Sequence, residues 1–226
     1  MSLELRSVCK SYDQHVVFKN LDLTFEPATI SLIRGPSGSG KTTLLRVSSL
    51  LDPVNSGRIF LEGREFAHVD LYRSSAWSIN QPFRSRVSIV FQQLFMWPHL
   101  RMADALQVTW RSSPTDLTRV ELMQFLGLAG LEDRFPRELS LGQLQRFAFL
   151  RSIGTGASYF FMDEVTSALD KSSKSKTLEV IKEMVKCGKG VIFVTHDPTV
   201  FGDSYDQLIE FGQLGDPISV EGNRPI

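Results

Sequence analysis

Gly35 through Thr42 read GPSGSGKT, with glycine at the first, fourth and sixth places and lysine and threonine closing the stretch. This matches the phosphate-binding loop pattern G-x-x-x-x-G-K-[ST] at every fixed position. Gly35, Pro36, Ser37, Gly38, Ser39 and Gly40 would curl so that backbone amides face the phosphates of a nucleotide. Lys41 would bring a cation to the β- and γ-phosphates, the Thr42 hydroxyl can bind Mg2+, and Thr43 continues the cradle. The competing reading is a glycine-rich strand-to-helix turn that binds nothing. The complete match, between the strand-like ISLIR and the helical TTLLRVSSLL, argues against it.

A nucleotide site needs further groups, and YFFMDE and VIFVTHD end two later apolar runs with them. Asp163 would hold Mg2+, directly or through water, and Glu164 would polarise the attacking water. An acidic pair at a strand end is also compatible with a plain solvated turn. His196 can bond a γ-phosphate or position water, or be a satisfied polar residue at a strand end. A fourth stretch, ELSLGQLQRF from Glu138 to Phe147, carries no obvious catalytic set. Ser140 reads as a helix N-cap there, and a helix start is also where an anion can bind.

These residues require elements to hold them. VVFKNLDLTFE, ATISLIRG, GRIFLEG, SRVSIVFQ, SYFFMDE and KGVIFVTHD are short apolar or β-branched runs of the kind buried in a mostly parallel sheet. Alternation of Leu3, Leu5 and Val8 with polar residues predicts a half-buried first strand rather than a leader peptide. Helical patterns alternate with the strands: the segment after Lys41, SPTDLTRVELMQFLG with Ser113 as N-cap and Pro114 first in the helix, and KSSKSKTLEVIKEMVKCG ending at Gly188. Residues 93–157 hold helical patterns and no convincing strand, which predicts a helical insertion in an α/β core.

Composition narrows the class. The chain has 226 residues, with 25 Lys plus Arg against 25 Asp plus Glu, so no general attraction to nucleic acid or acidic lipid is expected. Two distant cysteines, Cys9 and Cys187, predict ordinary thiols in a reducing compartment. No run approaches the ~20 apolar residues of a membrane helix, and a soluble chain is expected.

GPSGSGKT, FQQ, LSLGQLQR, YFFMDE, TSALD and VTHD stand in the order found in ATP-binding cassette ATPases, the nucleotide-binding subunits of ABC transporters. The chain resembles that family from Tyr12 to about Gly212. The resemblance implies a P-loop NTPase core at 1–92 and 158–226, with a mostly parallel sheet and an N-terminal antiparallel β region. It also implies an inserted helical subdomain at 93–157, all within one domain, 1–226. It further implies ATP and Mg2+ as ligands and hydrolysis to ADP and phosphate as the reaction. Catalytic roles fall to Glu164, His196 and Gln92, and Mg2+ contacts to Thr42, Gln92 and Asp163. Tyr12 matches the aromatic residue that stacks on adenine, although packing explains a tyrosine there equally well. Ser140, Gly142 and Gln143 match the segment that touches ATP held by the other subunit, so two chains would sandwich two nucleotides. Leu141 departs from the usual glycine and Val165 from the usual proline. Asp170 matches a contact to the opposite subunit, and it can also cap the helix that follows.

Expected partners are a second ATP-binding subunit, identical or different, and an integral membrane permease; nucleic acid is not expected. The chain would then sit in the cytoplasm, peripheral on the inner face of the membrane. A mechanical or DNA-associated cassette would carry long coiled-coil or zinc insertions, which this chain lacks. A P-loop kinase or GTPase would have no use for LSLGQ, and no NKxD motif occurs. The run FQQLFMWPHL, Phe91 to Leu100, is read either as core filling or as a groove in which Phe95, Met96 and Trp97 receive a permease helix.

Overall fold

The computed structural model describes residues 2–66, 81–197, 199–202, 204–216 and 218–222. Its strands are β1 (Leu3–Tyr12), β2 (His15–Phe25), β3 (Ile30–Arg34), β4 (Ser56–Leu61), β5 (Arg64–Glu65), β6 (Val87–Val90), β7 (Tyr159–Asp163), β8 (Gly190–Val194), β9 (Gln207–Glu210) and β10 (Ser219–Gly222). The helices are α1 (Lys41–Ser48), α2 (Gln81–Arg84), α3 (Met102–Thr109), α4 (Arg119–Phe125), α5 (Leu141–Ile153) and α6 (Lys171–Lys186), with a 3-10 turn at Pro136–Glu138. Among the described residues no helix is long and apolar enough to cross a membrane.

Two sheets divide the strands. β2, β1, β4 and β5 form an antiparallel sheet in that order. The other runs β10-β9-β3-β8-β7-β6, parallel throughout except for the edge pair β10 and β9. Every residue of β7 and of β8 is buried, as expected of strands covered on both faces.

Side chains alternate between two cores with the period of a strand. Ile30, Leu32, Phe160, Met162, Val191 and Phe193 point into a core shared with α3, α4, α5 and α6. Ile33, Tyr159, Phe161, Ile192 and Val194 point the other way, into a core closed by α1 and the antiparallel sheet. Phe160, Phe161 and Phe193 are each fully buried, at about 1.5–3 kcal/mol apiece relative to an exposed ring. The parallel sheet is thus clamped from both faces, which fixes the strand ends that carry the chemistry.

Between β6 and β7 the chain forms α3, α4, the 3-10 turn and α5, and the β-bridge there is the isolated pair Ser112 and Thr155. One predicted boundary inside this stretch is corrected. Ser113 and Pro114 do not open α4; Thr118 caps it in a box with Glu121. The Ser113 hydroxyl instead donates to the Leu117 carbonyl at 2.6 Å, closing a turn ahead of the helix. Thr-x-x-Glu satisfies two orphan amides reciprocally and outcompetes a lone serine followed by proline. α6 starts at the Asp170 cap and ends with Gly188 in the left-handed region at φ 81°, as the sequence predicts.

Candidate functional site

The sheet order gathers the candidate residues. β3, β8, β7 and β6 are parallel neighbours, so their carboxyl ends open on one edge, the usual ligand crevice of an open α/β sheet. Gly35 follows β3, His196 follows β8, Glu164 follows β7 and Gln92 follows β6. Ile33, Val194 and Asp163 stand side by side in the register. Residues 130 positions apart in the chain therefore face one cleft.

The phosphate loop is shaped for an anion. Gly35 and Gly40 have φ of 148° and 106°. A Cβ at Gly35 would come within 2.6 Å of the Phe211 carbonyl, and one at Gly40 within 2.4 Å of Val17, so glycine is required at both by backbone and by space. Lys41 is 6% exposed and donates to the loop's own carbonyls, Gly35 O at 2.9 Å and Pro36 O at 2.6 Å. Burial pushes its ammonium pKa down, against the pull of Glu164 and Asp163. Ser39 Oγ is buried with no hydrogen-bond partner, an orphaned donor in the loop that an incoming phosphate oxygen would satisfy.

Two oxygens that could hold a cation are adjacent. Thr42 Oγ1 donates to Asp163 Oδ2 at 2.8 Å. Burial pushes the Asp163 carboxyl above its ordinary pKa, the Thr42 bond pulls it down, and neighbouring Glu164 pushes it up again. Hydroxyl and carboxylate side by side, with no three-residue cluster of metal-binding side chains among the described residues, fit Mg2+. That ion takes one or two protein oxygens and fills its shell from phosphates and water.

Glu164 is held at both its side chain and its backbone. His196 Nε2 lies 2.7 Å from its Oε1, and Gln92 Nε2 donates to Oε2 at 3.1 Å. Its own amide donates to Val194 O at 3.1 Å. The backbone sits at φ 51°, strain that a non-glycine residue keeps only when its surroundings hold it. Glu164, Gln92 and His196, taken from the sequence as separate candidates, thus meet in one cleft.

Tyr12 lies beside the loop, sharing a cleft of about 280 Å³ with His15, Val17, Gly38, Gly40 and Thr43. Its hydroxyl donates to Asp52 Oδ2 at 2.6 Å, and Arg46 binds the same carboxylate through both oxygens at 2.9 Å. Lys10 Nζ stands 4.5 Å from the ring centroid. The ring is fixed in place and half exposed, as a stacking platform should be.

The LSLGQ turn keeps its bonds to itself. Ser140 Oγ accepts from Gln143 N at 3.3 Å and Ser140 N donates to Gln143 Oε1 at 2.8 Å, a full capping box at the start of α5. No hydrogen bond or ion pair among the described residues joins Ser140, Gly142 or Gln143 to Gly35–Thr43. Gly142 has an ordinary backbone, and a Cβ there would meet only normal contacts, Ala168 O at 3.5 Å and Leu169 at 3.9 Å. Among the described residues nothing requires glycine at this place. Leu141 is 62% exposed.

Sequence reasoning missed three supporting interactions. Buried Gln145 reaches from α5 to the segment after Glu164. Arg146 donates to Ser173 and lies 3.9 Å from Asp170, whose carboxylate caps α6 through Ser173. Lys174 pairs with Asp197. The signal available was a glutamine and an arginine early in a helix that also carries Gln143, Arg151 and Ser152, which is too general to name their partners.

Asp197 gives a pH test. Lys174, then the Thr199 hydroxyl and amide, hold its carboxyl down from 3.8 to about 2. A depressed acid stabilises the fold in full above its unfolded pKa and loses that contribution as pH falls through the folded one. The thermal-midpoint difference between wild type and Asp197→Asn is expected to be present at pH 6 and to vanish between about pH 4 and pH 2. A difference independent of pH would remove this ion pair from the account.

Residues 18–167 match the family model described as ABC transporter. The arginine transport ATP-binding protein ArgV of Corynebacterium glutamicum is 31% identical over 235 aligned positions, covering 100% of this chain and 91% of that protein. The L-cystine transport system ATP-binding protein TcyN of Escherichia coli is 31% identical, covering 94% of this chain and 87% of its own length. The solved dimeric structure of the ATP-binding cassette MJ0796 in a post-hydrolysis state, bound to ADP and Pi, is similar at a TM-score of 0.82 and 26% identity. That likeness covers 99% of this chain and 100% of that one. With a family model across more than half the chain and relatives above 30% identity along most of their length, the protein belongs to the ABC transporter family and is an ATP-hydrolysing cassette.

Proposed function

We propose that this cassette is the ATP-binding subunit of a transporter, closing head to tail on a second such subunit around two Mg-ATP and driving a separate membrane permease. Gly142 carries the reading. Neither its backbone nor its neighbours need glycine, so the missing side chain leaves room for something outside the chain, at a helix start suited to an anion. The γ-phosphate of a nucleotide on the partner subunit fits that space. Exposed Leu141 would face the same partner, as would Asp170.

Within one subunit, residues 1–92 and 158–226 bind the nucleotide and 93–157 present the signature turn. Tyr12 stacks on adenine, and the amides of Gly35–Gly40 with Lys41, Thr42 and Thr43 grip the phosphates. Thr42, Asp163 and Gln92 hold Mg2+, which neutralises phosphate charge when bound. Glu164 accepts a proton from, or orients, the attacking water, and His196 and Gln92 aim its two oxygens.

The permease contact is placed at Phe95–Trp97. Phe95 is 60% exposed and Trp97 is also on the surface, while Leu94 and Met96 pack against the helical core. Arg151 Nη1 donates to the Phe95 carbonyl at 3.2 Å and its guanidinium lies 4.9 Å from the Trp97 ring. The expectation of core filling therefore applies to Met96, and the surface reading to its neighbours. This placement puts the subunit at the inner membrane face. Tagged wild-type chain purified from detergent-solubilised membranes should retain a multi-span membrane protein. Trp97→Glu should lose it while binding ATP unchanged. Purification without a membrane subunit, or a large fall in the thermal midpoint of Trp97→Glu, would overturn the placement.

A further inference from the structure

We propose that Gln145 is a positioning residue that ties the signature turn to the backbone of Glu164 in the same chain. The inference rests on the reading of Glu164 as the group that works on water and of Ser140–Gln143 as the contact to the partner's nucleotide. Gln145 lies one helical step beyond that turn on α5 and is 3% exposed. Its Nε2 donates to Glu164 O at 3.2 Å and approaches Ser167 Oγ at 3.5 Å, while its Oε1 accepts from Ala168 N at 3.1 Å. One amide thus bridges both ends of the turn that follows Glu164, itself closed by Ser167 N to Glu164 O at 3.1 Å.

The position of this bridge matters because Glu164 is strained. Its φ of 51° is held by Val194 O on the amide side and by Gln145 with Ser167 on the carbonyl side. The side chain leaves this backbone toward Gln92 and His196. Any shift of α5 moves Gln145 and with it the carbonyl of Glu164, and the carboxylate pivots on the same Cα. Gly142 packs beside Ala168 O and Leu169 in the same segment, so the signature turn and Gln145 grip one piece of chain at two points. An anion pulled against Ser140–Gln143 therefore changes the aim of Glu164 in the subunit that supplies the signature, which couples the two composite sites.

Two mutant cycles test this. Gln145→Met keeps length and removes the hydrogen bonds; turnover at saturating ATP is expected to fall about 10-fold or more, with KM for ATP and the monomer's ADP affinity unchanged. In a Glu164→Gln background the same change should alter the residual rate by less than about twofold, since no carboxylate is left to aim. A merely structural Gln145 would lower both rates equally, which overturns the proposal. In the second cycle, Ser140→Ala and Gln145→Met should be non-additive by at least about fivefold, and additive losses would break the link to the signature turn. If Gln145→Met fails to fold, Gln145→Asn carries both cycles, since it keeps a neutral amide that is one methylene too short to reach Glu164 O and Ala168 N together. A failure of the underlying Glu164 reading shows separately, as wild-type turnover in Glu164→Gln alone.

Discussion

Glu164→Gln is expected to lower turnover by about 10²- to 10⁴-fold, the usual worth of a positioned acid or base, while ATP binding persists. The amide keeps the shape of the side chain and can still accept from His196, which lies 2.7 Å from Oε1 in the native pair. It cannot take a proton from water. Thr42, Asp163 and Lys41, which face the phosphates in the proposed site, are untouched, so nucleotide affinity should not fall. With hydrolysis blocked, the bound nucleotide persists and any dimer that needs it persists too. Size-exclusion chromatography in Mg-ATP should then show a stable dimer for the variant and a transient one for wild type. Unchanged turnover would remove Glu164 from the chemistry. Lost turnover with no dimer would keep the catalytic role and refute the sandwich.

The chemistry of this chain was legible wherever residue type and spacing act through the local backbone. GPSGSGKT needs only neighbours in sequence to build its cradle, and the strand before it and helix after it follow from periodicity alone. The Ser140 and Asp170 caps were legible for the same reason, since each bonds a residue three places on. Sheet order was legible only as a class. That β3 lies between β9 and β8, bringing Gly35 beside His196, depends on packing between segments more than 150 residues apart, and no local pattern encodes it. Ser113 misled because Ser-Pro is a common helix opening, whereas the Thr118–Glu121 box five residues later satisfies two amides reciprocally and sets the helix start there. Gln145 was invisible for a different reason. A glutamine inside a helix is ordinary, and its value comes from two groups, Glu164 O and Ala168 N, that only the tertiary fold presents to it.

Lys41→Ala and Ser140→Ala are each expected to abolish most ATP turnover, and by different routes. Among the described residues Lys41 has no carboxylate within hydrogen-bond distance and spends donors on two loop carbonyls, so a phosphate is a better partner and its loss weakens nucleotide binding in the monomer. Among the described residues Ser140 bonds only within its own turn, so its loss should spare monomer binding and impair closure of the dimer. Mixing the two variants decides the geometry. If each site combines the phosphate loop of one chain with the signature of the other, a dimer of one variant with the other holds one site with both defects and one site with neither. Half of the dimers in an equal mixture are of this kind, so recovery of up to roughly a quarter of wild-type turnover is expected from two-fold symmetric pairing, and less to the extent that the damaged site's signature no longer aims Glu164 of the intact one. A chain carrying both substitutions, mixed with wild type, gives the opposite pattern. Every site of that mixed dimer has one damaged half, and it should contribute almost nothing. Were each chain to complete its own site, the single variants would never rescue one another at any ratio, while the double variant would leave its wild-type partner fully active.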